Sequence, residues 1–132
     1  MIRRIAAAAV VAAAAVLSGC SAEEELHDVS GTLTFEGTPI PKGLIYFDPD
    51  TAKGTPGTQG FANIENGRFD TSIKGKGRGI RGGGPYLIRI SGFDGKEAAE
   101  APMGQPLFNQ HELTRDLPAE KQTFEYDVKR KR

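Results

Sequence analysis

The pair Asn66-Gly67 lies between two segments of alternating apolar and polar residues, and it constrains the fold more than any other feature of this sequence. Asn-Gly favours a two-residue β-hairpin turn, because both positions need a positive φ angle. The resulting register, between strands at 59–64 and 68–73, pairs Glu65 with Arg68, Ile64 with Phe69, and Ala62 with Thr71. Opposite charges then meet beside the turn and apolar residues share one face, so an antiparallel hairpin is predicted.

The same alternation recurs in short segments along the chain. It predicts further strands at 29–35, 43–48, 85–91 and 122–129. The segment 93–117 is predicted to be long and irregular, with one helical turn at 96–101. The chain contains 17 Gly, 8 Pro and no Trp, which suits short strands joined by tight turns. We therefore predict an all-β domain.

Alternation also indicates which side chains form the core. The residues predicted to face inward are Val29, Leu33, Phe35, Ile45, Phe47, Ile64, Phe69, Ile73, Tyr86, Ile88, Ile90, Phe124, Tyr126 and Val128. Each buried side chain of this kind contributes about 1.5–3 kcal/mol. A single open sheet cannot cover both of its faces, so we predict one two-layer antiparallel β-sandwich. Of the apolar residues in 93–117, Met103, Leu107 and Phe108 are expected to cover a sheet edge, the alternative being a patch for a partner.

The N-terminus carries a basic start, Met1 to Arg4, followed by an apolar segment at 5–17. This is the pattern of a secretory signal, and it is shorter than the roughly 20 residues of a spanning helix. Leu17, Ser18 and Gly19 then precede Cys20, and these four residues resemble a bacterial lipobox.

That resemblance implies that signal peptidase II recognises residues 17–19 and cleaves before Cys20. Cys20 would then carry covalent diacylglycerol and an N-acyl chain such as palmitate, and two or more chains give stable membrane anchoring. The alternative is a plain secretory signal followed by a free cysteine. Cys20 is the single cysteine, so it has no disulfide partner within the chain.

These features divide the chain into four parts. Residues 1–19 form the removed signal peptide, 20–27 the lipidated cysteine and a polar tether, 28–129 the β-sandwich, and 130–132 a basic tail. The acidic tether is expected to be a solvated spacer. The 17 basic and 17 acidic residues balance, so there is no electrostatic case for binding nucleic acid.

The order of turn and core motifs resembles a known family. The segments that carry the resemblance are 29–33, 37–41, 43–47, 66–69 and 84–88. Together they are similar to the carboxypeptidase regulatory-like, or transthyretin-like (prealbumin-like), β-sandwich of small bacterial lipoproteins. The resemblance implies an accessory or binding module, because turn and core residues specify a fold better than a function.

Two active relatives of that family do not match these residues. Transthyretin-like hydroxyisourate hydrolases end in Tyr-Arg-Gly-Ser, where this sequence has Lys-Arg-Lys-Arg. Collagen-binding-type B domains form a Lys–Asn isopeptide bond from a lysine in the first strand, and no lysine lies between Val29 and Phe35. The resemblance therefore carries neither a catalytic site nor a covalent cross-link to this chain.

The glycine-rich, basic segment 74–84 is the first candidate site. Backbone N–H groups beside Lys76, Arg78 and Arg81 suit a phosphate or carboxylate. A P-loop would lead into a helix, whereas a strand is predicted here. The alternative is a flexible loop between strands.

Other combinations of reactive residues are weaker candidates for a catalytic or metal site. His27 and His111 are far apart in the chain, and no serine has the surroundings of a hydrolase nucleophile. Asp48-Pro49-Asp50 begins like a calcium loop but continues with Ala52 and Lys53 where a ligand and a glycine belong. An acid–base pair drawn from Asp48, Asp50, Asp94 and Glu97 is no more than one choice among many carboxylates. We predict no metal, no cofactor besides the covalent lipid, and no catalytic residue.

The basic tail at 129–132 is the second candidate site. Its cations suit anionic lipid head groups, at about 1 kcal/mol for each residue, or an acidic partner or cell-wall polymer. The alternative is a solvated tail. The expected function is a lipid-anchored, non-enzymatic binding or structural module of the cell envelope, on the periplasmic side or the outer membrane, with an envelope protein or polymer as partner. The alternatives are an accessory subunit of a transport or secretion complex and, less favoured, an unrecognised hydrolase.

Overall fold

The computed structural model describes residues 24–131, which form ten β-strands and one short 3-10 helix. The strands are β1 (Val29–Phe35), β2 (Thr38–Pro39), β3 (Lys42–Pro49), β4 (Gly60–Glu65), β5 (Arg68–Asp70), β6 (Gly77–Arg78), β7 (Gly84–Phe93), β8 (His111–Leu117), β9 (Gln122–Thr123) and β10 (Tyr126–Val128). The 3-10 helix is Thr51–Lys53. The prediction of an all-β domain is confirmed. The described residues contain no helix with the length and hydropathy needed to cross a membrane.

The strands form one curled, mostly antiparallel sheet. Its order is β10-β1-β5-β4-β3-β7-β8, while β2 and β9 also pair with β1, and β6 pairs with β4. The pairings of β1 with β9 and with β10 are parallel. The two ends of the sheet meet through side chains, because His111 Nε2 lies 3.0 Å from Tyr126 Oη and the guanidinium of Arg115 lies over the Phe124 ring.

The core lies inside this curl. Its buried apolar residues are Val29, Leu33, Ile40, Ile45, Phe47, Ala62, Ile64, Phe69, Ile80, Tyr86, Ile88, Ile90, Leu117, Phe124 and Val128. Phe47 lies at the centre, with ring centroids 6.0 Å from Phe69 and 6.3 Å from Phe124. The predicted core residues Phe35 and Tyr126 are half-buried and pack against its margin.

The Asn66-Gly67 hairpin is confirmed next to its turn and wrong further away. Ile64 pairs with Phe69 and Glu65 with Arg68 as predicted, and both turn residues have positive φ angles, 51° and 76°. Ala62, however, pairs with Gly77 of β6 and not with Thr71. The cause is local: Asp70 Oδ1 accepts hydrogen bonds from the backbone N–H and the hydroxyl of Ser72, which turns the chain and ends β5.

That early turn also changes the core. Ile73, predicted to face inward, lies beyond the end of β5 and is 50% exposed. Ile80 is fully buried instead, although it lies in the segment predicted as a flexible loop. It is held by a two-way backbone pairing with His27, at 2.7 and 2.9 Å. Ile40 and Leu117 are further core residues that alternation did not identify.

The segment predicted to be irregular contains the edge strand β8. It pairs with β7 in antiparallel register from Gly84 opposite Leu117 to Ile90 opposite His111. Its sequence contains only two leucines among polar residues, so it gives a weak apolar signal. Charged side chains on such a strand protect an exposed edge from pairing with other chains.

The predicted helical turn at 96–101 is instead a β-turn closed by hydrogen bonds between Ala98 and Ala101. Beyond it, Leu107 N donates to Gly92 O at 2.9 Å, and the Phe108 ring packs against Gly92. Leu107 and Phe108 thus cover the end of β7 beyond its pairing with β8, whereas cover of an outer sheet edge stays a prediction. Met103 lies in the preceding turn, where its carbonyl accepts the N–H of Gly95.

The strand directions define two ends of the domain. The leader end contains Glu24, Thr58 and Arg81, which lie around the segment that precedes β1. The tail end contains Phe35, at the end of β1, and residues 129–131, which follow β10. The seven residues of β1 alone separate these ends by roughly 20 Å, at about 3.3 Å per residue.

Candidate binding surfaces

At the leader end, Glu24 is attached to the domain. Its Oε2 accepts hydrogen bonds from Arg78 Nη2 at 2.9 Å and from Thr58 Oγ1 at 3.0 Å, and its Oε1 accepts one from Thr58 N at 3.1 Å. The Thr58 bonds, supported by Arg78, hold the pKa of Glu24 below its usual value, so the carboxylate stays ionised. The prediction of a solvated spacer is therefore wrong at Glu24, because this residue finds a cation and two donors on the domain.

The three cations of the glycine-rich segment face different surroundings. Arg78 pairs with Glu24, and Arg81 lines a depression at the leader end beside Thr58. Lys76 instead lines a groove on another face, over the paired strands β1, β5 and β4. The three cations are held apart because residues 77–78 form β6, which pairs with β4, and because Ile80 is buried in the core.

The groove that contains Lys76 has a volume of about 430 Å³. Arg68 and Lys76 line it together with Glu65 and Asp70, and Ile73 lies among them. Hydrogen bonds from Ser72 keep the pKa of Asp70 below its ordinary value. Because two carboxylates face two cations, the groove has no net preference for an anionic ligand.

At the tail end lies a second cavity of about 390 Å³, which we call the tail cleft. Its floor is aromatic and aliphatic: the rings of Phe35 and Phe108 lie 5.0 Å apart and tilted by 40°. Leu107 and Val128 complete the floor. The Phe108 ring is fixed from behind, because a Cβ placed on Gly92 would lie only 2.7 Å from Phe108 Cε1.

The rim of the tail cleft is formed by the basic tail. Lys129, Arg130 and Lys131 all line it. Arg130 N donates to Glu36 Oε1 at 2.7 Å, and the Arg130 guanidinium lies 5.6 Å from the centre of the Phe35 ring. The tail thus follows the surface of the domain as far as Lys131. Arg132, also predicted to belong to the tail, lies outside the described residues.

His111 forms one wall of the cleft next to Tyr126, with ring centroids 5.3 Å apart. Burial, and then the nearby charge of Lys131, lower the pKa of His111, so the imidazole is neutral at pH 7. Its partner is a tyrosine hydroxyl. His27 lies at the leader end, where its backbone pairs with Ile80, so the fold does not bring the two histidines together.

Three of the four carboxylates considered for acid–base or calcium chemistry have structural contacts. Asp48 Oδ2 accepts from Arg89 Nε at 2.7 Å, and its Oδ1 accepts from Gln59 at 2.6 Å. Asp50 lies 3.9 Å from Lys53. Asp94 Oδ1 accepts the N–H groups of Lys96 and Gln105, which fixes a turn. Glu97 lies in the loop after β7. Within residues 24–131, no three His, Cys, Asp or Glu residues are grouped as metal ligands.

The predicted lipobox residues Leu17, Ser18 and Gly19 and the lipidation residue Cys20 lie outside the described residues. Sequence reasoning missed the attachment of Glu24 and the contact of Phe35 with Phe108 in a cleft, although it gave a partner patch at Phe108 as the alternative to edge cover. In the sequence these residues are only an acidic residue before β1 and an aromatic residue in a loop, and neither pattern indicates which distant residue it contacts. Comparisons of the chain with protein families, curated proteins and solved structures gave no match.

Proposed function

We propose that this protein is a lipid-anchored, non-enzymatic binding module of a bacterial cell envelope, attached to its membrane through Cys20. The observation that carries the proposal is the lipobox-like sequence that ends at Cys20. The attachment of Glu24 to Arg78 and Thr58 sets the distance from that residue to the domain. It leaves residues 21–23 between the lipid-bearing cysteine and the folded domain. At about 3.3–3.6 Å per residue, these four chain steps reach about 14 Å at most.

Such a short connection orients the domain as well as attaching it. The leader end, with Glu24, Thr58 and Arg81, faces the membrane, and the tail end faces away from it. The tail cleft is then displayed to the periplasm or to the surroundings of the outer membrane. Its ligand is therefore sought among envelope proteins and polymers and not in the bilayer that holds the anchor.

A binding function is also supported by the contacts of the potentially reactive side chains, which are engaged within the domain. Asp48 and Asp94 are occupied by Arg89 and by backbone N–H groups, and His111 by a tyrosine hydroxyl. The cleft, in contrast, combines an apolar floor with a polar, mostly basic rim, so it offers a ligand both apolar and charged contacts. On this proposal the curled sheet is a two-layer, transthyretin-like sandwich. One layer contains β3, β4, β7 and β8, and the other contains β1 and β10.

The test is metabolic labelling of the full chain with radioactive palmitate in a bacterium that processes lipoproteins. We expect label on the wild-type protein and its recovery with membranes. Cys20→Ser should remove the label and release the protein, because no other residue can accept the thioether-linked lipid. Ser21→Ala is the matched control and should keep both. A wild-type protein that is secreted without label would contradict the proposal and favour a plain secretory signal.

A further inference from the structure

We infer that the tail cleft binds an acidic peptide segment of a partner protein, with an apolar side chain of the peptide on the Phe35–Phe108 floor and its carboxylates against the basic rim. The inference deepens the proposed function by naming a partner for the end that faces away from the membrane. The chemistry of the cleft itself does not depend on lipid at Cys20.

The floor of the cleft determines the apolar part of the ligand. Phe35, Leu107 and Phe108 are half-buried and pack against the core, so each presents a partly exposed apolar surface. A cavity of about 390 Å³ accommodates one or two side chains. An apolar side chain that covers this surface gains about 25 cal/mol for each Å² removed from water.

The rim determines the charged part. Lys129, Arg130 and Lys131 line the cleft, and none of the described residues that line it is a carboxylate. Three acidic residues are chain neighbours of residues that line the cleft; Glu112 lies exposed on β8, and the other two have contacts elsewhere. Glu36 accepts the N–H of Arg130, and Asp127 accepts from Thr34 and Gly37 and pairs with Lys129. Described residues provide no ion pair for Arg130 or Lys131, so carboxylates of a ligand would supply the missing charge.

The same features disfavour a glycan polymer. A neutral sugar brings no negative charge to Lys129, Arg130 and Lys131, and the described lining residues include no carboxylate to balance them. Recognition of acidic motifs by clustered basic residues is, in contrast, a common mode of peptide binding. The anchoring bilayer is disfavoured because the cleft lies at the opposite end of the domain from Glu24.

The test uses the full-length protein in a non-ionic detergent and fluorescence anisotropy with three labelled probe peptides. The first has the sequence Asp-Asp-Leu-Phe-Asp-Asp. The second replaces each Asp by Asn, and the third replaces Leu-Phe by Ser-Ser. We expect the first peptide to bind at least tenfold more tightly than either of the others, and to weaken as the salt concentration rises, because its contacts are partly electrostatic.

Two variants locate the binding. Lys131→Glu, on an exposed rim residue, and Phe108→Ala, in the floor, should each weaken binding of the first peptide at least tenfold. Lys74→Glu is the matched control, since this exposed lysine lies in the turn after β5 and should leave binding unchanged. Thermal unfolding shows whether Phe108→Ala is still folded. If that variant does not fold, the affinity of Lys131→Glu for the first peptide alone tests whether binding occurs in the cleft.

His111 provides an independent readout. A carboxylate bound at the rim should raise the pKa of His111, which proton NMR measures, and the Asn-containing peptide should leave that pKa unchanged. Equal affinity for the three peptides, or full affinity in Lys131→Glu, would overturn the inference. Competition by anionic vesicles or soluble peptidoglycan fragments, but not by unlabelled first peptide, would also overturn it. Palmitate labelling at Cys20 is measured separately, so failure here and failure of the anchoring proposal are distinguishable.

Discussion

Arg78 Nη2 lies 2.9 Å from Glu24 Oε2, and this ion pair joins the segment that precedes β1 to the short strand β6. Three residues further along, His27 exchanges two backbone hydrogen bonds with Ile80. The contacts lie side by side, so the side-chain pair and the backbone pairing should form and open together. The start of the domain is thereby attached to its glycine-rich segment.

Replacing Glu24 should loosen this attachment. Glu24→Ala removes the acceptor of Arg78 and of Thr58, so local opening of the leader end becomes easier. We expect hydrogen exchange at the backbone amides of His27 and Ile80 to accelerate several-fold, while amides in β3 and β7 keep their rates. Glu25→Ala, at an exposed neighbouring residue, is the control and should change none of these rates. Equal acceleration in both variants would show that the pair does not hold the segment.

Replacing either of two isoleucines near the glycine-rich segment by alanine should change the free energy of unfolding by very different amounts. Ile80 is fully buried, so Ile80→Ala leaves a cavity and should lower the free energy of unfolding by about 2–4 kcal/mol. Ile73 is 50% exposed, so Ile73→Ala should change that free energy by no more than about 0.5 kcal/mol. Denaturant unfolding measures both. A large loss at Ile73 with little loss at Ile80 would mean that the strand continues to residue 73.

Gly31 should not tolerate a side chain. A Cβ at this position would lie within van der Waals overlap of the Phe124 carbonyl oxygen, and backbone on both sides would have to move. We expect Gly31→Ala to lower the free energy of unfolding by about 2–4 kcal/mol, because overpacking beside the core forces strands apart. Thr32→Ala, at the neighbouring exposed position, should cost much less. Equal stability of Gly31→Ala and wild type would contradict the close approach of β1 to residue 124.

Asp127 should make stability depend on pH in the acidic range. Hydrogen bonds from Lys129, Thr34 and Gly37 lower the pKa of Asp127 from 3.8 to about 2. Because the pKa is lower in the folded state, the ionised carboxylate stabilises the fold above about pH 4, and this contribution is lost as the pH falls towards 2.

The measurement is the unfolding temperature of wild type and Asp127→Asn from pH 7 to pH 2. We expect the variant to melt lower at pH 7 and the difference to shrink below pH 4. Asp116→Asn, at an exposed residue of β8, is the control. A constant difference between wild type and Asp127→Asn over the whole range would argue that the charge of Asp127 is not involved.

Sequence reasoning succeeded where local chemistry decides the structure. Asn66 and Gly67 accept positive φ angles, so the turn and its two nearest pairs followed directly. It failed at Ile73, because the side chain of Asp70 accepts a hydrogen bond from Ser72 that ends the strand, and alternation does not reveal this bond. It also missed β8, whose residues are mostly polar because an edge strand faces water.

The candidate sites were harder to predict than the fold. Clustering in the chain suggested that Lys76, Arg78 and Arg81 act together, but the formation of β6 and the burial of Ile80 place them in different surroundings. The tail was identified as a basic segment, but its relation to Phe35 and Phe108 was not. Those residues are far apart in the chain, and only the path of the strands brings them to one end.

By itself, the amino-acid sequence determined the all-β class, the central hairpin and most of the core, since these follow from the two-residue period of strands and from turn residues. The tertiary structure alone decided that Glu24 binds Arg78, that Ile80 replaces Ile73 in the interior, and that the basic tail borders an aromatic cleft. The physical reason is the separation along the chain of the residues that each interaction joins. Turn preference and alternation act between neighbouring residues, whereas ion pairs, burial and clefts depend on which distant segments the curled sheet brings into contact.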